Sequence, residues 1–198
     1  MISGFERCEF GYVARLDREL SLILQQLLGE TITVLDAPDD STILSSIVTE
    51  EEFREEPDDP VLRMLLPPMS DDPLEAESLR ALTEDSLRTE KSARLQMILC
   101  VLRDHVAGEI DQIAIDNGQE WEWLRGLNDL RLVLAQRLNV GSEEWDELAQ
   151  RAEHLLTVAC ADETASVEEA IAIIYHIVSW WQDSLLRAVE LSGGASSL

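Results

Sequence analysis

Bases are scarce in this sequence. Against 40 Asp and Glu stand only 15 Lys and Arg, a formal net charge of −25 at pH 7. No run of cations and no basic helix face occurs. Phosphate backbones are held by clustered Lys and Arg that release counterions, so direct nucleic-acid binding by this chain is not expected. Cysteine is sparse too: Cys8, Cys100 and Cys160 lie far apart and form no CxxC, which excludes a zinc ribbon and a thioredoxin-like site. An odd count also speaks against a secreted disulfide scaffold. No segment holds the roughly 18 uninterrupted apolar residues of a membrane span. The first residues, MISGFERCEFGYVARL, lack the cationic start and apolar stretch of a signal peptide, so a cytoplasmic location is expected.

Catalytic patterns are missing as well. His105, His154 and His176 belong to neither HExxH nor the Glu-x-x-His pattern of di-iron bundles. There is no Gly-rich phosphate loop, no GxSxG elbow and no Cys-His signature. Carboxylate pairs abound, but at this acidity they arise by chance and carry no acid-base argument. The reading is of a protein that is not an enzyme and carries no metal or cofactor.

What is present is enough apolar material for a core. Of 198 residues, 45% are hydrophobic and 28% charged, which suits one folded domain over 1–198. The fold class expected is mainly α: a compact multi-helix bundle with a short N-terminal β-hairpin over 5–16, where aromatic and β-branched residues surround Gly11. Asp17 caps a first helix whose Leu20, Ile23, Leu24, Leu27 and Leu28 share one face and which ends before Pro38. An acidic connection follows over 36–59, ten acids against the single base Arg54, with a short helix around Ile43 to Val48. Its acids suit a solvated face, or a docking surface for a basic partner.

Asp59-Pro60 and Asp72-Pro73 each place a capping acid before a proline at the first helical position. The second of these helices runs to Thr83, which is read as the cap of a fresh, long central helix carrying Leu87, Leu95, Ile98, Leu99 and Leu102. Asn117-Gly118 marks a turn before a helix bearing Leu124, Leu127, Leu130, Leu134 and Leu138. Ser142 opens another. Ser166 with Glu169 forms a capping box for the last helix, which ends at Ser192-Gly193-Gly194 before a flexible tail, 192–198.

Three segments together resemble a known family: DPVLRMLLP at Asp59 to Pro67, DDPLEAESLRALTEDSLRTEK at Asp71 to Lys91, and WLRGLNDLRLVLAQRLNV at Trp123 to Val140. The closing Trp-rich IIYHIVSWWQDSLLRAVEL fits the same order. They are similar to the actinobacterial domain-of-unknown-function family 2017, which includes AosR-like oxidative-stress regulators. The resemblance covers most of the chain and is most specific at Asn128-Asp129-Leu130-Arg131. Some members are described as redox-responsive partners of an alternative sigma factor, so the resemblance implies a transcription-linked role. The closely spaced cysteine pair that would support redox sensing is lacking.

The candidate polar cluster is Arg125, Asn128, Asp129 and Arg131. Arg125 and Asp129 stand four residues apart, as a local ion pair would. Arg131 falls on the buried leucine stripe, seven residues after Leu124 and seven before Leu138, and a buried arginine must find a carboxylate. It is either part of a structural network, paired with Asp129 or a more distant acid, or the lining of a cleft for a ligand or peptide. Cys100, between Leu99 and Val101, reads as an inert core residue, as does Cys160. Cys8, beside Arg7, is the candidate reactive thiol. Trp180 and Trp181 point about 100° apart on a helix, so one can enter the core while the other forms a candidate interface.

The function expected is that of a non-enzymatic, regulatory interaction protein. Its partner would be a protein, basic in character, such as a sigma factor or another transcription protein, with a homodimer as a further form. The alternative is a small-ligand or thiol-redox sensor.

Overall fold

The computed structural model describes residues 2–37, 54–108, 112–138 and 166–194. The expected short helix around residues 43–48, the Ser142 helix, Trp145, His154, Cys160 and the tail beyond 194 lie outside them, as does the acidic connection over 38–53.

Local cap chemistry sets most helix starts. Asp17 accepts from the Leu20 amide at 2.9 Å and opens α1, Arg18–Asp36. Asp59 accepts from Val61 at 2.7 Å before α2, Pro60–Leu65. Asp72 accepts from Leu74 at 3.0 Å and Glu75 at 3.1 Å before α3, Pro73–Ala107. In both of the last two, proline occupies a position whose N–H would have had no helical partner. The helices α4, Glu120–Leu138, and α5, Val167–Gly194, complete the set. The capping box at α5 is formed: the Glu169 amide donates to Ser166 Oγ at 3.2 Å, and the Ser166 amide donates to Glu169 Oε2 at 2.9 Å.

Thr83 is not a cap, and this corrects the expectation of two helices. The α3 helix runs unbroken for 35 residues, and the Thr83 hydroxyl donates back to the Leu79 carbonyl at 2.8 Å. Its middle is short of apolar residues because it buries charge instead. Glu84 accepts from Arg88 Nε at 2.8 Å and from Arg80 Nη1 at 3.2 Å, one turn to either side, and Arg54 Nη2 lies 3.6 Å away. The arginines also reach helix ends: Arg80 donates to the Leu66 carbonyl after α2 at 3.1 Å, and Arg88 to Leu35 in the last turn of α1 at 3.2 Å. Carbonyls left over at helix C-termini are satisfied in this way.

The hairpin is present, as β1, Glu6–Cys8, against β2, Gly11–Arg15, but it is not an appendage. A third strand, β3, Gln112–Asp116, pairs antiparallel with β2, giving the order β1-β2-β3. Gly11 is required there: its φ is +153°, and a Cβ would stand 1.9 Å from the Ile115 carbonyl oxygen.

Sheet and helices share one core. Phe5, Tyr12, Ile113 and Ile115 join Leu24, Leu28, Leu95, Ile98, Leu127, Leu134 and Trp181 in a single buried cluster. Within α1, Leu20, Leu24, Leu27 and Leu28 face inward as their spacing requires, while Ile23 is exposed. The α5 helix is tied to the segment that leads into β1 by Trp181 Nε1 donating to the Ser3 carbonyl at 3.0 Å and by Phe5 N donating to Ser184 Oγ at 3.1 Å. No helix among the described residues is long and apolar enough to cross a membrane.

Candidate functional site

One face of the bundle opens into a cleft of about 780 Å³ between α3, α4 and α5. The α3 wall presents Leu87, Glu90, Lys91 and Arg94. The α4 wall presents Trp121, Leu124, Arg125, Asn128, Asp129 and Arg131, and α5 closes it with Gln182, Asp183 and Leu186. All four residues of the sequence-derived polar cluster therefore meet in one cavity, although they do not pair as expected.

Arg125 does not bond Asp129. Its guanidinium donates to Glu122 Oε1, three residues back, at 3.0 Å. Asp129, only 3% exposed, is held across the helix interface instead. Lys91 Nζ donates to its Oδ1 at 2.5 Å and Arg94 Nη1 to its Oδ2 at 3.3 Å. Arg94 also donates through Nε to Glu122 Oε2 at 2.8 Å. That hydrogen bond holds the Glu122 carboxyl below its ordinary range, against desolvation, and the charges of Arg94 and Arg125 add to the effect. Two acids on α4, Asp129 buried and Glu122 partly exposed, thus bind two cations on α3 and fix the register of the helices.

Among the described residues Arg131 meets no carboxylate, contrary to the pairing expected for it. Its Nη1 donates to Gln182 Oε1 at 2.6 Å and its Nη2 to the Tyr175 hydroxyl at 3.3 Å. The guanidinium carbon lies 5.5 Å from the centroid of the Tyr175 ring. Gln182 is oriented for this by donating its own amide to the Leu124 carbonyl at 3.0 Å. The buried Nε of Arg131 has no acceptor among the described residues. Arg131 is half-buried rather than part of the fully buried stripe, and the side chains that bond it, Gln182 and Tyr175, come from α5 and carry no charge.

A family model described as Domain of unknown function (DUF2017) matches residues 2–189, which include every residue of the cleft. The chain belongs to that family. No curated protein and no solved structure matches it.

The remaining candidates of this DUF2017 chain fall apart from the cleft. Trp181 is buried against Phe5, ring centroids 4.9 Å apart, whereas Trp180 is 46% exposed. Its indole lies beside Gly4, on a different side of α5 from the cleft. Cys8 is half-buried, and Arg7 beside it turns away to donate to the Tyr12 hydroxyl at 2.8 Å, with its guanidinium over the Tyr12 ring. Alternation along a strand sends neighbours to opposite faces, so Arg7 is not the cation expected for Cys8. Cys100, expected in the core, is exposed on α3. Sequence neighbours on a helix diverge by about 100°, so burial of Leu99 does not carry Cys100 inward. His105 is buried and shares a 3.2 Å hydrogen bond with Ser21 between α3 and α1.

Lys91, Arg94, Glu122 and the Glu84 cluster were not singled out in the sequence. Their signal was the four-residue spacing of Arg80, Glu84 and Arg88 in a stretch of helix with few apolar residues. Among the described residues no group of His, Cys, Asp and Glu gathers as metal ligands do.

Proposed function

We propose that this chain is a non-catalytic, regulatory interaction domain that engages a protein partner through its outer face. The placement of four indoles carries this reading. Trp123 and Trp181 are buried, while their near neighbours Trp121 and Trp180 stand 54% and 46% exposed on α4 and α5. Large aromatic surface left in water on rigid helices is the kind of anchor that protein interfaces cover. The net charge of −25 would draw a basic partner and make the encounter sensitive to salt. The resemblance to actinobacterial oxidative-stress regulators adds a transcription protein such as a sigma factor as the partner, in the cytoplasm. A second copy of the chain is the competing occupant at either exposed indole.

The test is an affinity pull-down at low and high salt with the wild-type chain and with Trp121→Ala and Trp180→Ala. A basic protein should be retained by the wild type at low salt and lost by at least one variant whose circular dichroism and melting temperature are unchanged. Equal retention by both variants, or recovery of the bait alone, would overturn the reading.

A second reading, a small-ligand sensor, is favoured by one observation: the cleft contains an arginine whose partners among the described residues are all neutral.

A further inference from the structure

The cleft between α3, α4 and α5 has a charge balance that selects a ligand. Lys91 and Arg94 are both held by Asp129, and Arg94 and Arg125 by Glu122. Those cations are already answered. Arg131 is the exception in the cavity: an amide oxygen and a phenol hold its guanidinium, and it forms no ion pair with any described residue. A half-buried guanidinium with neutral partners has no carboxylate beside it among the described residues, and a planar anion would satisfy it through two parallel hydrogen bonds.

We propose that this cleft binds a small organic monocarboxylate with an apolar body, its carboxylate seated on Arg131. Three properties of the cavity define that class. Its volume of about 780 Å³ suits a small molecule. Its apolar lining, Leu124, Leu186 and the exposed indole of Trp121, gives an aliphatic or aromatic body a surface to cover. Its two further acids, Glu90 and Asp183, add negative potential that disfavours phosphates and dianions while a single charge remains matched by Arg131. Gln182 and Tyr175 fix the guanidinium beforehand, so little side-chain entropy remains to be lost on binding. The inference rests on the ligand reading of the cleft; it shares Trp121 with the protein-partner reading, and Trp180, outside the cleft lining, separates the two.

The experiment titrates the intact chain with octanoate and, separately, with 1-octanol, following tryptophan fluorescence and the heat of binding. Trp121 lines the cleft and reports on its occupancy. Octanoate should bind saturably to the wild type, 1-octanol at least about tenfold more weakly, and octanoate to Arg131→Gln about tenfold more weakly as well, the loss expected for one charge-assisted pair. The comparison of octanoate with octanol needs no variant and stands even if Arg131→Gln unfolds. No saturable binding of octanoate overturns the proposal. So does equal binding of octanol, which would make the cleft a merely apolar groove, or unchanged affinity in a folded Arg131→Gln. Loss of partner capture in Trp180→Ala leaves this titration unaffected, so the two readings fail separately.

Discussion

Lys91 of α3 donates to Asp129 of α4 at 2.5 Å, and the receiving carboxylate is almost wholly buried. Arg94 approaches its other oxygen, so one acid bridges two cations from the facing helix. Replacing Asp129 by Ala strands Lys91 and leaves Arg94 with Glu122 as its remaining acid. The expected loss is about 3 kcal/mol, typical of a broken buried pair, read as a lower urea midpoint at constant m-value. Asp129→Asn, which keeps an acceptor but not the charge, should fall between the two. A loss below about 0.5 kcal/mol for Asp129→Ala, the level of an exposed pair, would contradict this account.

Gly126 of α4 packs against Ile98 of α3 with no room for a side chain. A Cβ there would stand 2.4 Å from Cδ1 of Ile98. Gly126→Ala should therefore destabilise the chain by about 1–3 kcal/mol through overpacking, despite the better helix propensity of alanine. Ile98→Val removes the clashing methyl. The double variant should be more stable than Gly126→Ala alone, and thermal melts of the wild type, both single variants and the double variant supply the cycle.

Acid sensitivity follows from Glu122. Hydrogen bonding to Arg94 holds its carboxyl below the ordinary value of 4.5, so the folded state retains the charged form more strongly than the unfolded state. A group depressed on folding contributes stability at pH above its unfolded value and loses that contribution as pH falls through its folded value. Glu30 behaves alike, through hydrogen bonds from Gln26 and from Arg137 of α4. Unfolding titrations from pH 7 to pH 3 should show Glu122→Gln less stable near neutrality and with a shallower decline below pH 4.5. Because Glu122 is partly exposed, high salt should reduce the difference. An identical pH slope in variant and wild type would rule this out.

Thiol reactivity should follow exposure rather than sequence surroundings. Cys100 is exposed on α3 and Cys8 half-buried in β1. Under native conditions, peptide mapping by mass spectrometry should find Cys100 alkylated faster than Cys8, with the difference vanishing in denaturant. Faster labelling of Cys8 would reverse the assignment.

How far these features can be read from the residues depends on how local their causes are. Asp59-Pro60, Asp72-Pro73 and the Ser166 box act within one turn, and each appears where its sequence places it. Trp181 sits three residues after Val178 and four before Leu185, so its burial follows from spacing. The continuity of α3 does not follow, because Arg80, Glu84 and Arg88 look like a solvated face until Leu35, Leu66 and Arg54 are brought to them. The β3 strand alternates Ile113 and Ile115 over only five residues, and its pairing partner lies about a hundred positions earlier. Arg131 stands in sequence at the edge of the leucine stripe and is half-buried, but Gln182 and Tyr175 are contributed by a helix whose placement no short-range pattern encodes.

The unbroken α3 helix works as a ruler. Glu84 with its arginines sets the ends of α1 and α2, Lys91 and Arg94 set α4, and the Leu102 carbonyl receives Gln25 of α1 at 2.9 Å. These marks stand on one rigid rod at fixed intervals. A slip of α3 by one turn, about 5.4 Å, would misplace every mark at once, so no neighbour can shift its register while the others keep theirs. Sliding is thereby an all-or-none event, and the walls of the cleft inherit their spacing from the same scale.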